Sequence, residues 1–144
     1  MIGPGHNHQH GQRRLESPAS TLLVTPGTYY PINGTFIDGD ALGFAIVGNK
    51  LKYIGSSGVV FHLSGVSDIF VDKACQISYA LYVNGFLVPS AQTPHDFPAS
   101  SKIATISITA IVKLNQDDEL EVYAKSDTAN TTINVTNLNI VFWG

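Results

Sequence analysis

Residues 102–143 read KIATISITAIVKLNQDDELEVYAKSDTANTTINVTNLNIVFW, and this stretch decides the fold class. Ile106, Ile108, Ala110, Val112 and Leu114 occupy even positions, while Thr105, Ser107, Thr109 and Lys113 occupy odd ones. Leu120, Val122 and Ala124 then alternate with Glu119, Glu121, Tyr123 and Lys125. A period of two with one apolar face is the mark of a half-buried antiparallel strand. In the last strand the phase slips, because Ile133 and Val135 are odd but Leu138, Ile140 and Phe142 are even. One face stays buried only if a β-bulge absorbs a residue at Thr136–Asn137.

Upstream, Ile77, Tyr79, Leu81 and Val83 alternate as far as Asn84–Gly85. Asn-Gly tolerates the positive φ of a type I′ turn and predicts a hairpin with Phe86–Val88 as its return strand. Strand candidates precede it at Leu42–Val47, Leu51–Ile54, Val59–Ser64 and Ser67–Asp72, separated by Gly48–Asn49 and Gly55 to Gly58. Residues 89–101, PSAQTPHDFPASS, contain three prolines and are expected as a surface loop. No segment sustains a helical period. Short strands and turns at this spacing predict an all-β antiparallel β-sandwich of jelly-roll type.

With 144 residues, the chain has room for one domain with a real core. Only 13% of residues are charged and the net charge is −3, which argues against nucleic acid as a partner, since that needs a basic face. The single cysteine, Cys75, excludes an intramolecular disulfide and is expected as a buried thiol. No apolar run is long enough to span a bilayer, and no secretory signal is recognisable, so a soluble chain made in a cytoplasm is expected. Residues 1–24 carry little apolar content and no sustained period, and are expected as a flexible N-terminal arm ahead of a domain over 25–144.

The order of "ALYVNG" (80–85), a long loop, "SITAIVKLNQDDELEVYAKS" (107–126) and "TTINVTNLNIVFWG" (131–144) resembles the trimeric jelly roll of the tumour-necrosis-factor and complement-globular-domain superfamily. It is most similar to the small versions found in tailed-phage virion proteins. Leu114–Asn115–Gln116–Asp117–Asp118 matches that family's Leu-x-x-Gly-Asp turn, with Asp117 in the glycine position, and Leu120–Glu121–Val122 matches the next strand. The resemblance is good over 75–143, weaker over 28–74 and absent over 1–24.

It implies a homotrimer with no enzymatic activity and no cofactor, placed in a virion. Capsid decoration is the first expectation, with the major capsid protein or another shell protein as partner. A receptor- or glycan-binding fibre tip is the alternative, with a host-surface glycan as partner; neither reading involves membrane insertion. Tyr82 and Tyr123, opposite the apolar rows of their strands, are expected at the subunit interface, with Phe142 and Trp143 closing its base. His6, His8 and His10, with Arg13 and Arg14, form the expected capsid-anchoring arm. The spacing of the three histidines also lets them meet one metal ion, although no acid or cysteine ligand lies nearby. Gln92, His95, Asp96 and Phe97 are the expected ligand-loop residues. Asp38 and Asp40 have calcium-like spacing, but that spacing alone is weak and a tight solvated turn is the better reading.

Overall fold

The structure, a computed structural model, describes residues 9–38, 42–100 and 103–144. These form twelve strands: β1 (His10–Leu15), β2 (Ala19–Leu23), β3 (Tyr30–Pro31), β4 (Phe36–Asp38), β5 (Phe44–Val47), β6 (Lys50–Tyr53), β7 (Val59–Val71), β8 (Cys75–Val83), β9 (Phe86–Phe97), β10 (Ala104–Leu114), β11 (Glu119–Ser126) and β12 (Thr131–Trp143). All pairings are antiparallel. The first sheet runs β10-β7-β12-β1-β4, with β2 also on β12. The second runs β5-β6-β11-β8-β9, with β3 also on β11. The chain is an all-β antiparallel sandwich of jelly-roll type.

The predicted alternation sets the two inner faces. Ile106 and Ile108 of β10, Phe61, Leu63, Ile69 and Val71 of β7, and Ile133, Val135, Leu138, Ile140 and Phe142 of β12 fill the core from one side. Ile77, Tyr79 and Leu81 of β8 and Leu120, Val122 and Ala124 of β11 fill it from the other. Gly65 belongs to this interior because a Cβ there would lie 2.9 Å from Ile108 and 3.0 Å from Ile140. Phe44, Tyr53, Phe61 and Phe142 cluster at one end, with ring centroids 5.1–5.7 Å apart. The slip in β12 is a register shift between Val135 and Asn137. Asn84 and Gly85 both adopt positive φ, as the hairpin requires. Asp117 has φ 72, the left-handed conformation that explains glycine at this position in the resembled family.

Three expectations are corrected. From His10 onward the expected arm is part of the sandwich, because β1 and β2 pair along β12 from His10↔Trp143 to Thr131↔Leu23. Its inward positions include Gly11 and Arg13, so no apolar period shows in the sequence. The proline-rich stretch is also strand as far as Phe97. Being the last strand of its sheet, β9 forms a ladder with β8 alone among the described strands, so Pro89 and Pro94 remove no ladder bond on a second side. Between Leu87 and Gln92 the strand bulges away, since the register jumps from Tyr82↔Leu87 to Ala80↔Gln92. The expected strands Val59–Ser64 and Ser67–Asp72 are one continuous β7.

Candidate functional site

His6 and His8 lie outside the described residues, so the three-imidazole site is not seen as a unit. Asp40 lies outside them too. His10 exchanges backbone hydrogen bonds with Leu42 and stands opposite Trp143. Arg14 is exposed on the outer face of the first sheet, but Arg13 points the other way and is only 2% exposed. Its guanidinium donates through Nε (3.0 Å) and Nη2 (2.5 Å) to the Asn49 carbonyl and lies 3.4 Å over the Phe36 ring. Burial pulls its pKa down from 12.5 to about 10, and the Glu121 carboxylate partly opposes that shift. Arg13 is therefore a core residue; an anchoring role for it in a free arm is overturned by its burial.

The expected interface residues fall on different surfaces. Phe142 is 2% exposed inside the core, so it cannot close the base of an assembly. Tyr82 and Tyr123 lie on the outer face of the second sheet and stack on each other, with centroids 3.8 Å apart at 8°. Tyr29 adds an edge-on contact to Tyr82 at 5.8 Å. Lys125 sits 4.8 Å above the Tyr29 ring, and the Tyr29 hydroxyl donates to Gln92 Oε1 at 3.0 Å. Desolvation raises the pKa of all three phenols, which keeps them neutral. The pair needs no partner subunit to be half-buried.

Of the expected ligand residues, Gln92 thus joins the tyrosine cluster, while Phe97 is buried in the core. His95 meets the Phe97 ring edge-on at 4.9 Å, and Asp96 accepts from Gln76 Nε2 at 3.0 Å. Adjacent strand residues face opposite sides, so His95 and Asp96 cannot act as a catalytic pair. Among the described residues no group of three or more His, Cys, Asp or Glu side chains is placed to hold a metal ion.

The outer face of the first sheet carries a surface of which sequence reasoning singled out only His10 and Trp143. Ile111, His62, Trp143 and His10 are direct cross-strand neighbours on β10, β7, β12 and β1. The His62 and Trp143 rings stack at 5.8 Å and 17°. Ile111 is 62% exposed and Trp143 45%, and Val60 and Val66 of β7 are exposed on the same face. Ser64 and Thr109 occupy the next row, and an open cleft of about 400 Å³ lies among these side chains. The legible signal was Ile111, an apolar residue on the otherwise polar odd face of β10.

No family profile matches the chain, and no curated protein matches it by sequence. Solved structures do resemble it. Murine APRIL at pH 5.0 aligns with a TM-score of 0.60 and 14% identity, over 94% of this chain and 98% of that one. The Eiger TNF from S. frugiperda gives 0.60 and 10%, over 94% and 90%. The PRD1 vertex protein P5 gives 0.52 and 14%, over 94% and 95%. At such identities the likeness establishes a shared fold over nearly the whole of each chain, and nothing more specific.

Proposed function

We propose that this protein is a non-enzymatic structural component of a phage particle, a homotrimer that decorates the capsid. The observation that carries the reading is the outer face of the first sheet, where Val60, Ile111 and Trp143 are exposed in adjacent rows around His62, with Val66 exposed two rows further along β7. An apolar face of this kind on a chain with only 13% charged residues fits association with copies of itself. Similarity to a vertex protein over 94% of the chain supports placing that assembly on a virion. The interface moves accordingly from Tyr82 and Tyr123 to the opposite sheet, with Trp143 retained.

Attachment to the shell is assigned to residues 1–8, because Gln9 already accepts from the Gly144 amide and the Tyr53 hydroxyl and from His10 the backbone is engaged in the sheet. Three such segments per trimer would bind with an avidity that one lacks, so cementing needs only weak individual contacts. Cryo-electron microscopy of the particle whose genome encodes the chain tests this directly. Three-fold density on the shell that the sandwich fits is the expected result. Particles that lack the protein, or carry it only on the tail, contradict capsid decoration. Deleting residues 1–8 is expected to abolish binding to stripped particles while leaving the sandwich folded.

The tyrosine cluster favours a second reading, a receptor- or glycan-binding tip. Tyr29, Tyr82, Tyr123, Lys125 and Gln92 bring aromatic surface, phenol hydroxyls, an ammonium and an amide together on the outer face of the second sheet. Such a mixture suits a sugar's apolar face and hydroxyl rim. Glycan binding that is lost in Tyr82→Ser and Gln92→Ala favours this reading. Binding to assembled shells alone favours decoration.

A further inference from the structure

The largest exposure among the big apolar side chains of the described residues belongs to Phe86, at 77%. It is the first residue after the Asn84–Gly85 turn, at the start of β9, an edge strand. It pairs with Val83 and shares a side of β9 with Val88, both of which pack against the core. Phe86 continues that apolar row past the end of the core and overhangs the open edge of the sandwich. Among the described residues little covers it, which is what its 77% exposure records.

The cleft of about 400 Å³ on the outer face of the first sheet is the matching feature. Ile111, His62 and Trp143 form one wall row, and Ser64 and Thr109 the next. Knob and cleft lie toward the same end of the sandwich. The 115–119 turn ties that end together: Asn84 Nδ2 donates to Asp118 Oδ1 at 2.8 Å, and the Gly58 amide, at the start of β7, donates to Asn115 Oδ1 at 3.1 Å. The two features therefore sit at similar heights along the strands but on different sides of the molecule. A knob and cleft so arranged cannot meet within one chain; between copies they make a head-to-tail contact, the type that forms a ring when the rotation between copies closes and a filament when it does not. No carboxylate lines the cleft, so inserting a phenyl ring strands no buried acid.

We infer that Phe86 of one copy seats in the Ile111/His62/Trp143 cleft of the next, making this knob and cleft the ring-closing contact of the oligomer. The inference rests on the trimer reading and specifies where its subunits meet. Two measurements on the full chain test it. With a benzophenone amino acid at position 86, irradiation should join that position to residues 62–64, 109–111 or 143 of a second chain, as mapped by mass spectrometry. Separately, Phe86→Asp and Ile111→Asp change exposed side chains and should leave circular dichroism unaltered. Each is expected to reduce the sedimenting mass from three times the chain mass to 15.5 kDa. If the unmodified chain itself sediments as a monomer, the trimer reading falls and the knob with it. If the unmodified assembly forms but survives both substitutions, or the adducts map elsewhere, only the knob assignment is overturned.

Discussion

The hydroxyls of Tyr79 and Ser67 lie 2.9 Å apart in the core, joining the two sheets with a polar contact inside the sandwich. Ser67 Oγ also donates to the Asn137 carbonyl at 2.8 Å. With the serine proton committed there, the Tyr79 phenol is the donor to Ser67. Asn137 is the residue that resumes pairing after the β12 bulge, so this chain of bonds fixes the bulge to the opposite sheet. Ser67→Ala would leave the buried Tyr79 hydroxyl without its partner and remove the bond to the Asn137 carbonyl, and is expected to cost about 2 kcal/mol. Tyr79→Phe leaves the Ser67–Asn137 bond intact and should cost about 1 kcal/mol. Urea unfolding of both single variants and the double variant measures this; equal costs would show that the network does not act as described.

The same tyrosine sets an alkaline limit. Burial pushes the Tyr79 phenol well above its ordinary value of 10.0. Above about pH 10 the unfolded state loses that proton while the folded state keeps it, so the folded state binds more protons and stability falls as pH rises. Arg13 acts in the opposite sense, because its folded pKa is lowered to about 10 and the unfolded state binds more protons above that. Comparing Tyr79→Phe with the parent isolates the phenol. The variant should lose less stability between pH 9 and about 11, as read from urea midpoints, and an identical slope would contradict the assignment.

Gly65 offers a packing test. A Cβ added there meets Ile108 and Ile140 at about van der Waals overlap, and both neighbours are fully enclosed. Gly65→Ala is expected to destabilise by about 1–3 kcal/mol. Adding Ile108→Val removes a methyl from the crowded side and should recover part of the loss in thermal melts.

Much of the scaffold was legible because ordinary residues carry it. The odd–even pattern of β10 and β11, the bulge in β12 and the Asn84–Gly85 hairpin follow from side-chain periodicity and turn chemistry alone. β1 was not legible, because its inward positions are occupied by exceptions. At Gly11 a Cβ would strike the Phe44 ring at 2.6 Å, and Arg13 is a buried cation held by a carbonyl and an aromatic face. Neither reads as a core residue until its neighbours are known. β9 was hidden by prolines that only an edge strand tolerates. The tyrosine pair was visible as two unexplained aromatics, but their stacking depends on a cross-strand register that sequence does not print. The Phe86 knob and the cleft belong to different sheets, and only the folded topology places them at one end.

Asp117 links the sequence pattern to a stability test. Its φ of 72 costs a non-glycine residue energy, and its contact with Lys52 at 3.7 Å is exposed. Exposed ion pairs contribute little. Asp117→Gly is therefore expected to raise stability by about 0.5 kcal/mol, seen as a higher urea midpoint; a clear loss would show that the Lys52 contact outweighs the backbone strain.

Self-association is the central claim, and native mass spectrometry of the purified full-length chain tests it most directly. A dominant species at three times the 15.5 kDa chain mass, shifted to the single-chain mass by Ile111→Asp, is the predicted result. A parent protein that flies only as a 15.5 kDa monomer at every concentration would contradict the account.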